Sequence, residues 1–145
     1  MTSSPYVDTS ALAKYYIAES GSSDFETYIR ATVSAWIGQL TLVEFRCLLA
    51  RRRRAGSLKP IQETGAMALF VRHVAQSLWQ IQPIDDSDYA DAAQLIDRLP
   101  DIPLRTLDAI HLAGAIKSGA SELATADHIL ASAAAASGLK PKLFG

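Results

Sequence analysis

A single cysteine, Cys47, is all the thiol this chain carries, so no internal disulfide can staple it. A reducing cytoplasm suits such a chain, and Cys47, set in the run Val43-Glu44-Phe45-Arg46-Cys47-Leu48-Leu49, is expected to be a buried helical thiol. An excess of charge of one sign is also missing: 14 Lys and Arg stand against 15 Asp and Glu, for a formal net charge of -1. With no global basic field, a nucleic-acid partner would have to be held by a local patch. No apolar stretch approaches the ~18 residues that span a bilayer, and no charged-then-apolar signal segment opens the chain. The expectation is a cytoplasmic protein with no membrane partner. Internal repeats and Gly- or Ser-rich linkers are lacking as well. The 145 residues, 49% of them apolar, suffice for one core and are too few for two, so one domain over 1–145 is expected.

Two-residue hairpin turns are a further absence, and they decide the fold class. Short β-like runs are expected at Pro5-Tyr6-Val7, Val33–Ile37, Trp79–Ile84, Glu122–Thr125 and Pro141–Phe144, each pair separated by helical patterns. Helices are expected around Ala11–Tyr16, from a capping box at Ser23–Glu26 to Arg30, and from a second box at Thr41–Glu44 to Arg51–Arg54. Further helices should run from Lys59-Pro60 through Leu78, from a Ser87 cap, from about Thr106 to Gly119, and from Asp127 to Gly138. Strands alternating with helices imply a mostly parallel central sheet covered on both faces, a three-layer α/β/α sandwich.

Against that map, four acids stand out. Asp8 and Asp127 fall just past the ends of the first and fourth strands, and Glu44 and Asp108 fall in the first turns of two helices. Ligands of open parallel sheets bind outside the carboxyl ends of the strands, so all four can converge on one edge. Carboxylates brought together repel one another and must take up protons or a cation. Hard divalent ions such as Mg²⁺ and Mn²⁺ prefer such oxygens, and an ion held in an open site supports phosphodiester hydrolysis. The expected metal ligands and catalytic groups are therefore Asp8, Glu44, Asp108 and Asp127, with Ser10 and Thr125 as supporting hydroxyls.

Each acid also has a purely structural reading. Asp8 and Asp127 can serve as helix N-caps, Glu44 as the acid of a capping box with Thr41, and Asp108 as a charge suited to a helix start. The denser group Asp85, Asp86, Asp88 and Asp91 reads as a solvated cap region. His111, three residues after Asp108 on the same helix, has the place to orient a ligand, but without a second histidine in range it reads rather as a packing or surface residue. The run Arg51–Arg54 covers a whole helical turn, so its members cannot all face one ligand; it reads as a solvated helix end or as a contact for phosphate or a protein partner.

The strings Val7-Asp8-Thr9-Ser10-Ala11-Leu12, Leu42-Val43-Glu44-Phe45, Leu104-Arg105-Thr106-Leu107-Asp108-Ala109-Ile110-His111-Leu112-Ala113 and Leu123-Ala124-Thr125-Ala126-Asp127 resemble, in order and spacing, the motifs of the PIN domain family, most closely its VapC-type toxins. The resemblance implies a PIN domain over 1–145 and an Mg²⁺- or Mn²⁺-dependent endoribonuclease with its acids at Asp8, Glu44, Asp108 and Asp127 and a hydroxyl at Thr125. It further implies cleavage of tRNA, rRNA or mRNA, a homodimer, and silencing by a cognate antitoxin. His128 departs from the Arg or Lys frequent after the last acid, and the four-arginine run is denser than usual. Two alternatives accompany this reading: a housekeeping PIN nuclease of RNA processing, and a binding module that has lost the chemistry. An aspartyl-nucleophile phosphotransferase is disfavoured because Asp8-Thr9-Ser10 lacks a second Asp two residues on.

Overall fold

Alternation along three short strands sorts the core into two halves. In the computed structural model, which describes residues 3–145, β1 (Tyr6–Val7) pairs with both β2 (Ala35–Gly38) and β4 (Glu122–Thr125). Tyr6 lies beside Trp36 and Leu123, and Val7 beside Ile37 and Ala124. Because successive side chains point to opposite faces, Val7, Ile37 and Ala124 enter one core while Tyr6, Trp36 and Leu123 enter the other.

The first face is covered by α1 (Thr9–Tyr16), α2 (Ser22–Arg30), α3 (Thr41–Arg54) and α4 (Pro60–Ala75), the second by α5 (Asp86–Arg98), α6 (Thr106–Ser118) and α7 (His128–Ala136). With β3 (Trp79–Gln82) and β5 (Lys140–Leu143) the sheet has the order β3-β2-β1-β4-β5, and every pairing is parallel. The chain builds outward from β1 through β2 to β3, then returns to the other side of β1 for β4 and β5. That reversal makes a topological switch point between β1 and β4, where parallel sheets open a crevice at their carboxyl ends. Asp8 and Asp127 follow those two strands.

The three-layer α/β/α expectation therefore holds, with a sheet that is parallel throughout. Several local expectations do not. The Ser23–Glu26 capping box is absent: α2 starts after Gly21, whose φ of 86° places it in the left-handed region that glycine tolerates. Ser22 instead accepts from Glu19 N–H and donates to the Ile17 carbonyl. Asp85, not Ser87, caps α5, exchanging hydrogen bonds with Asp88 across the first turn. The second strand begins at Ala35, leaving Val33 96% exposed. The fourth helix stops at Ala75, short of Leu78. Among the described residues no helix is long and apolar enough to cross a membrane.

One polar cluster sits inside the first core. Trp79 Nε1, a donor only, gives its proton to the Tyr16 hydroxyl at 2.7 Å, so that hydroxyl donates onward to His73 Nδ1 at 2.6 Å. Burial, with the neighbouring Arg72 charge, holds His73 below the usual imidazole range and so favours the neutral form that accepts this proton. The unfolded chain's imidazole takes up a proton near pH 6.5, roughly. The stability tied to neutral His73 is thus complete above that pH and lost as pH falls below it through the lower folded value. Urea unfolding followed by tryptophan emission should show a greater loss of stability between pH 7.5 and 5.5 for the wild type than for His73→Gln; equal losses would remove His73 from this role.

Candidate active site

Each of the four acids takes its place from the element that ends or starts beside it. Asp8 closes β1 and caps α1: its Oδ1 accepts from Ala11 N–H at 3.0 Å and from Ser10 Oγ at 2.8 Å, and its Oδ2 from Thr125 Oγ1 at 2.6 Å. Asp127 stands past β4 and caps α7 by accepting Ile129 N–H at 2.8 Å on Oδ1. The cap reading and the strand-end reading are therefore both true of these two residues. Thr125, fully buried at the end of β4, ties them together, because the oxygen that donates to Asp8 also accepts Asp127 N–H at 2.9 Å. Ser10 acts likewise, donating to Asp8 while accepting Ala126 N–H at 2.9 Å. The two supporting hydroxyls clip the ends of β1 and β4 across the switch point.

Glu44 has a different life from the capping-box acid its spacing suggests. The N-cap position of α3 is Leu40, with no side-chain cap. Glu44 Oε1 instead accepts from Thr9 Oγ1 at 2.7 Å and lies 2.5 Å from His111 Nε2, on α6. Thr41 also leaves its expected role and hydrogen-bonds Thr9 at 2.9 Å. Asp108, in the first turn of α6, makes one long contact, 3.4 Å from Arg105 N–H to Oδ2.

His111 joins this arrangement, whereas the weight of local sequence reasoning put it in packing or at the surface. It is 4% exposed and bridges Glu44 to the buried Tyr6 hydroxyl, which stands 2.9 Å from Nδ1. Its three-residue offset from Asp108, which puts both on one face of α6, was the available signal.

Electrostatics follows from this packing. Burial pushes Asp8 above the usual carboxylate range, and the nearby His111 and the three hydrogen bonds only partly offset it. Asp108 is also raised, by burial and then by the charge of Asp127. Burial works against the Glu44 carboxylate too, but its bond to His111, the His111 charge and the Thr9 hydroxyl outweigh it and hold Glu44 low. The same pair, with Asp8 and Asp108 nearby, raises His111 against the opposing effect of its burial.

Among the described residues, no three Asp, Glu, His or Cys side chains are drawn together as a ready-made metal cage. The hydrogen bonds give the reason: each carboxylate is turned toward its own local donors. Donor chemistry nonetheless fits a hard divalent cation. The four residues offer only oxygen, and each has an oxygen with free capacity among the described contacts: Glu44 Oε2, Asp108 Oδ1, Asp127 Oδ2, and one remaining lone pair on Asp8 Oδ2. The repulsion that raises Asp108 is what such a cation would relieve.

Two grooves flank Glu44. One, of about 460 Å³, is lined by Thr9, Ser10, Val43, Cys47, Arg51 and Leu107, among others; the other, of about 520 Å³, by Ile96, Leu104, Arg105, Thr106, Leu107 and Asp108. Cys47 is exposed on the first groove, which corrects the expected buried thiol: Phe45 and Leu49 take the inward positions of α3, and a residue two positions from each faces away. The arginine run divides in the same manner. Arg52 pairs with Glu19 at 2.9 Å and Arg53 with Glu63 at 2.7 Å, while Arg51 faces the groove. The acid group of α5 is not wholly solvated either, since Asp88 is buried and contacts Lys117.

Comparison with known proteins bears on this arrangement. No curated protein sequence matches the chain. Among solved structures, the VapC20 toxin of Mycobacterium tuberculosis, described as cleaving the sarcin-ricin loop, superposes with a TM-score of 0.70 at 18% identity, over 90% of this chain and 95% of its own. FitAcB from Neisseria gonorrhoeae gives 0.68 at 16% identity, covering 94% of each chain. VapBC2 of Rickettsia felis, solved with DNA from its promoter, gives 0.66 at 15%, covering 97% of this chain and 98% of the other. These likenesses establish a shared fold. The sequence model of the PIN domain matches residues 6–136, from the strand before Asp8 through the helix that Asp127 caps, so the chain belongs to the PIN domain family.

Proposed function

We propose that this chain is an Mg²⁺-dependent endoribonuclease, with Mn²⁺ as an effective substitute, acting as the toxin of a toxin–antitoxin pair in the cytoplasm. The observation that carries the reading is the placement of Asp8, Asp108 and Asp127 at the carboxyl edge of a parallel sheet, with Glu44 between two grooves beside them. Asp8, Asp108 and Asp127 would hold the cation, and Glu44 would hold a second ion or orient the attacking water. A divalent ion there would lower the pKa of bound water and neutralise charge on the phosphoryl oxygens.

The protein's own contribution is positional. Ser10 and Thr125 fix both oxygens of Asp8, and Glu44, held as a carboxylate, presents an acceptor for a water proton at Oε2. Arg51 and Arg105 stand in the grooves on either side of Glu44, placed to meet phosphates up- and downstream of the cleaved bond. RNA as substrate class, with tRNA, rRNA and mRNA as the candidates, is supported by the sarcin-ricin-loop-cleaving neighbour. A cognate antitoxin is supported by the VapBC2 neighbour, and a homodimer is what the VapC resemblance implies.

The test is cleavage of total cellular RNA by purified, antitoxin-free protein in Mg²⁺, Mn²⁺ or EDTA. Discrete fragments are expected with either metal and none with EDTA. Fragments of equal yield in EDTA would overturn the metal-dependent reading, and no fragments under any metal would overturn the nuclease. Expression without the antitoxin should arrest growth; normal growth of cells making active enzyme would favour the housekeeping role.

A further inference from the structure

Glu44 comes to the candidate site with one oxygen already committed. Oε1 accepts from both Thr9 Oγ1 and His111 Nε2, which fills its two lone-pair directions. Behind each donor stands a second residue. Because Thr9 gives its proton to Glu44, its oxygen accepts from Thr41 Oγ1 at 2.9 Å. His111, with Nε2 directed at the carboxylate, has Nδ1 against the Tyr6 hydroxyl at 2.9 Å.

The Tyr6 hydroxyl is there because two glycines leave room for it. A Cβ on Gly38, the last residue of β2, would stand 2.4 Å from that oxygen, and one on Gly114 would stand 3.3 Å from it. Neither glycine has a positive φ. Their backbones are therefore open to any residue, and within α6 a glycine costs about 1 kcal/mol relative to alanine. Clearance for Tyr6 accounts for both positions. Tyr6 and His111 are 1% and 4% exposed, so neither touches solvent enough to act on a ligand directly. Among the described residues, the hydrogen-bonded route from this pair to the acidic edge runs through Glu44.

We propose that Tyr6 and His111, seated in the space left by Gly38 and Gly114, are a positioning pair that fixes Glu44 Oε1 and leaves Oε2 as the single oxygen it offers to a divalent cation or to the attacking water. The proposal rests on the metal-dependent reading above. It explains why a carboxylate at the mouth of two grooves does not swing freely between them: rotating Glu44 would strip a buried imidazole N–H and the Thr9 hydroxyl of their acceptor. Partners that orient ligating side chains in this way typically change metal affinity or activity by about 10- to 100-fold when removed.

Calorimetric titration with Mn²⁺ separates the possibilities, using the wild type, Tyr6→Phe, Gly38→Ala, Glu44→Gln, Asp108→Asn and the double variant Tyr6→Phe/Glu44→Gln, each confirmed folded by its thermal transition. Tyr6→Phe removes one oxygen and is expected to weaken Mn²⁺ by about 10-fold, and to lower kcat for RNA cleavage with KM nearly unchanged. Gly38→Ala, which crowds the same hydroxyl, should move affinity in the same direction. In the Glu44→Gln background, Tyr6→Phe should cause no further loss, because the carboxylate that its hydrogen-bond chain positions has been removed. An equal loss in both backgrounds would show that Tyr6 acts on the fold at large and would overturn the proposal. So would wild-type affinity together with wild-type kcat in Tyr6→Phe alongside lost binding in Asp108→Asn, an outcome that leaves the metal site standing. Unchanged Mn²⁺ binding in every variant, Asp108→Asn included, would instead overturn the site and the positioning pair with it.

Discussion

Asp8→Asn is expected to slow metal-dependent RNA cleavage by about 10²- to 10³-fold, the order seen when a key group stabilising transition-state charge is lost, while the protein stays folded. The second half of that statement is what makes the variant informative. Asn keeps an oxygen where Ala11 N–H and Ser10 Oγ donate, so the cap of α1 survives. Its amide faces Thr125 Oγ1, which can turn its proton away and accept. Burial is what pushes the Asp8 carboxyl upward, so a neutral group also removes a desolvation cost. A melting temperature within a few degrees of the wild type is expected. Asp8→Ala would be a poorer choice, because it loses the cap, worth about 1 kcal/mol, and strands the Ala11 N–H and Thr125 hydroxyl in a buried setting. Single-turnover cleavage at saturating Mn²⁺ is the measurement, and wild-type turnover by folded Asp8→Asn would remove Asp8 from the site.

The largest effect on stability is expected at Phe45, the residue after Glu44. Its ring is wholly buried, 5.3 Å from the Tyr16 centroid and 5.0 Å from that of Phe70, and so joins α1, α3 and α4. Phe45→Ala should cost about 3–5 kcal/mol, from lost transfer energy and the cavity left behind. In a domain with roughly 5–15 kcal/mol in total, that is a large share, and the melting temperature should fall by roughly 10–15 °C. Because α3 carries Glu44, cleavage measured well below the transition should fall too. Phe45→Leu fills much of the cavity and should lose under half as much. Denaturant titration of the three proteins decides it: a loss below about 1 kcal/mol for the alanine variant is incompatible with the packing of α3 described here.

Much of this architecture was legible from residue order alone. Glu122–Thr125 was expected as a strand and is one, with the same bounds. The parallel sheet followed from strands separated by helices with no tight hairpin between them. Short-range capping signals were the least dependable: Ser87 yields the cap to Asp85, to which it donates, while Thr41 and Glu44 have the right chemistry for a cap but take the hydrogen-bond partner that tertiary structure brings nearest. For Thr41 and Glu44 that partner is Thr9, more than thirty residues away in the chain. Cys47 misled for a related reason. An apolar neighbourhood in sequence says little about a helix face, because each residue turns about 100° from the last and only the packing partner decides which side is inward.

Residue order carries the chemical inventory: four acids at strand ends and helix starts, their succession along the chain, and the α/β scaffold that gathers strand ends on one edge. How those acids are used is a matter of long-range packing. The strand order β3-β2-β1-β4-β5 placed Asp8 and Thr125, 117 residues apart, within a hydrogen bond of each other, and α3 and α6, reaching the sheet's carboxyl edge from opposite faces, gave Glu44 a histidine 67 residues away. Local propensity acts over a few residues and cannot encode those distances. Which carboxylate oxygen is spent and which is free depends on donors that adjoin it only once the sheet has closed and both helical layers have docked.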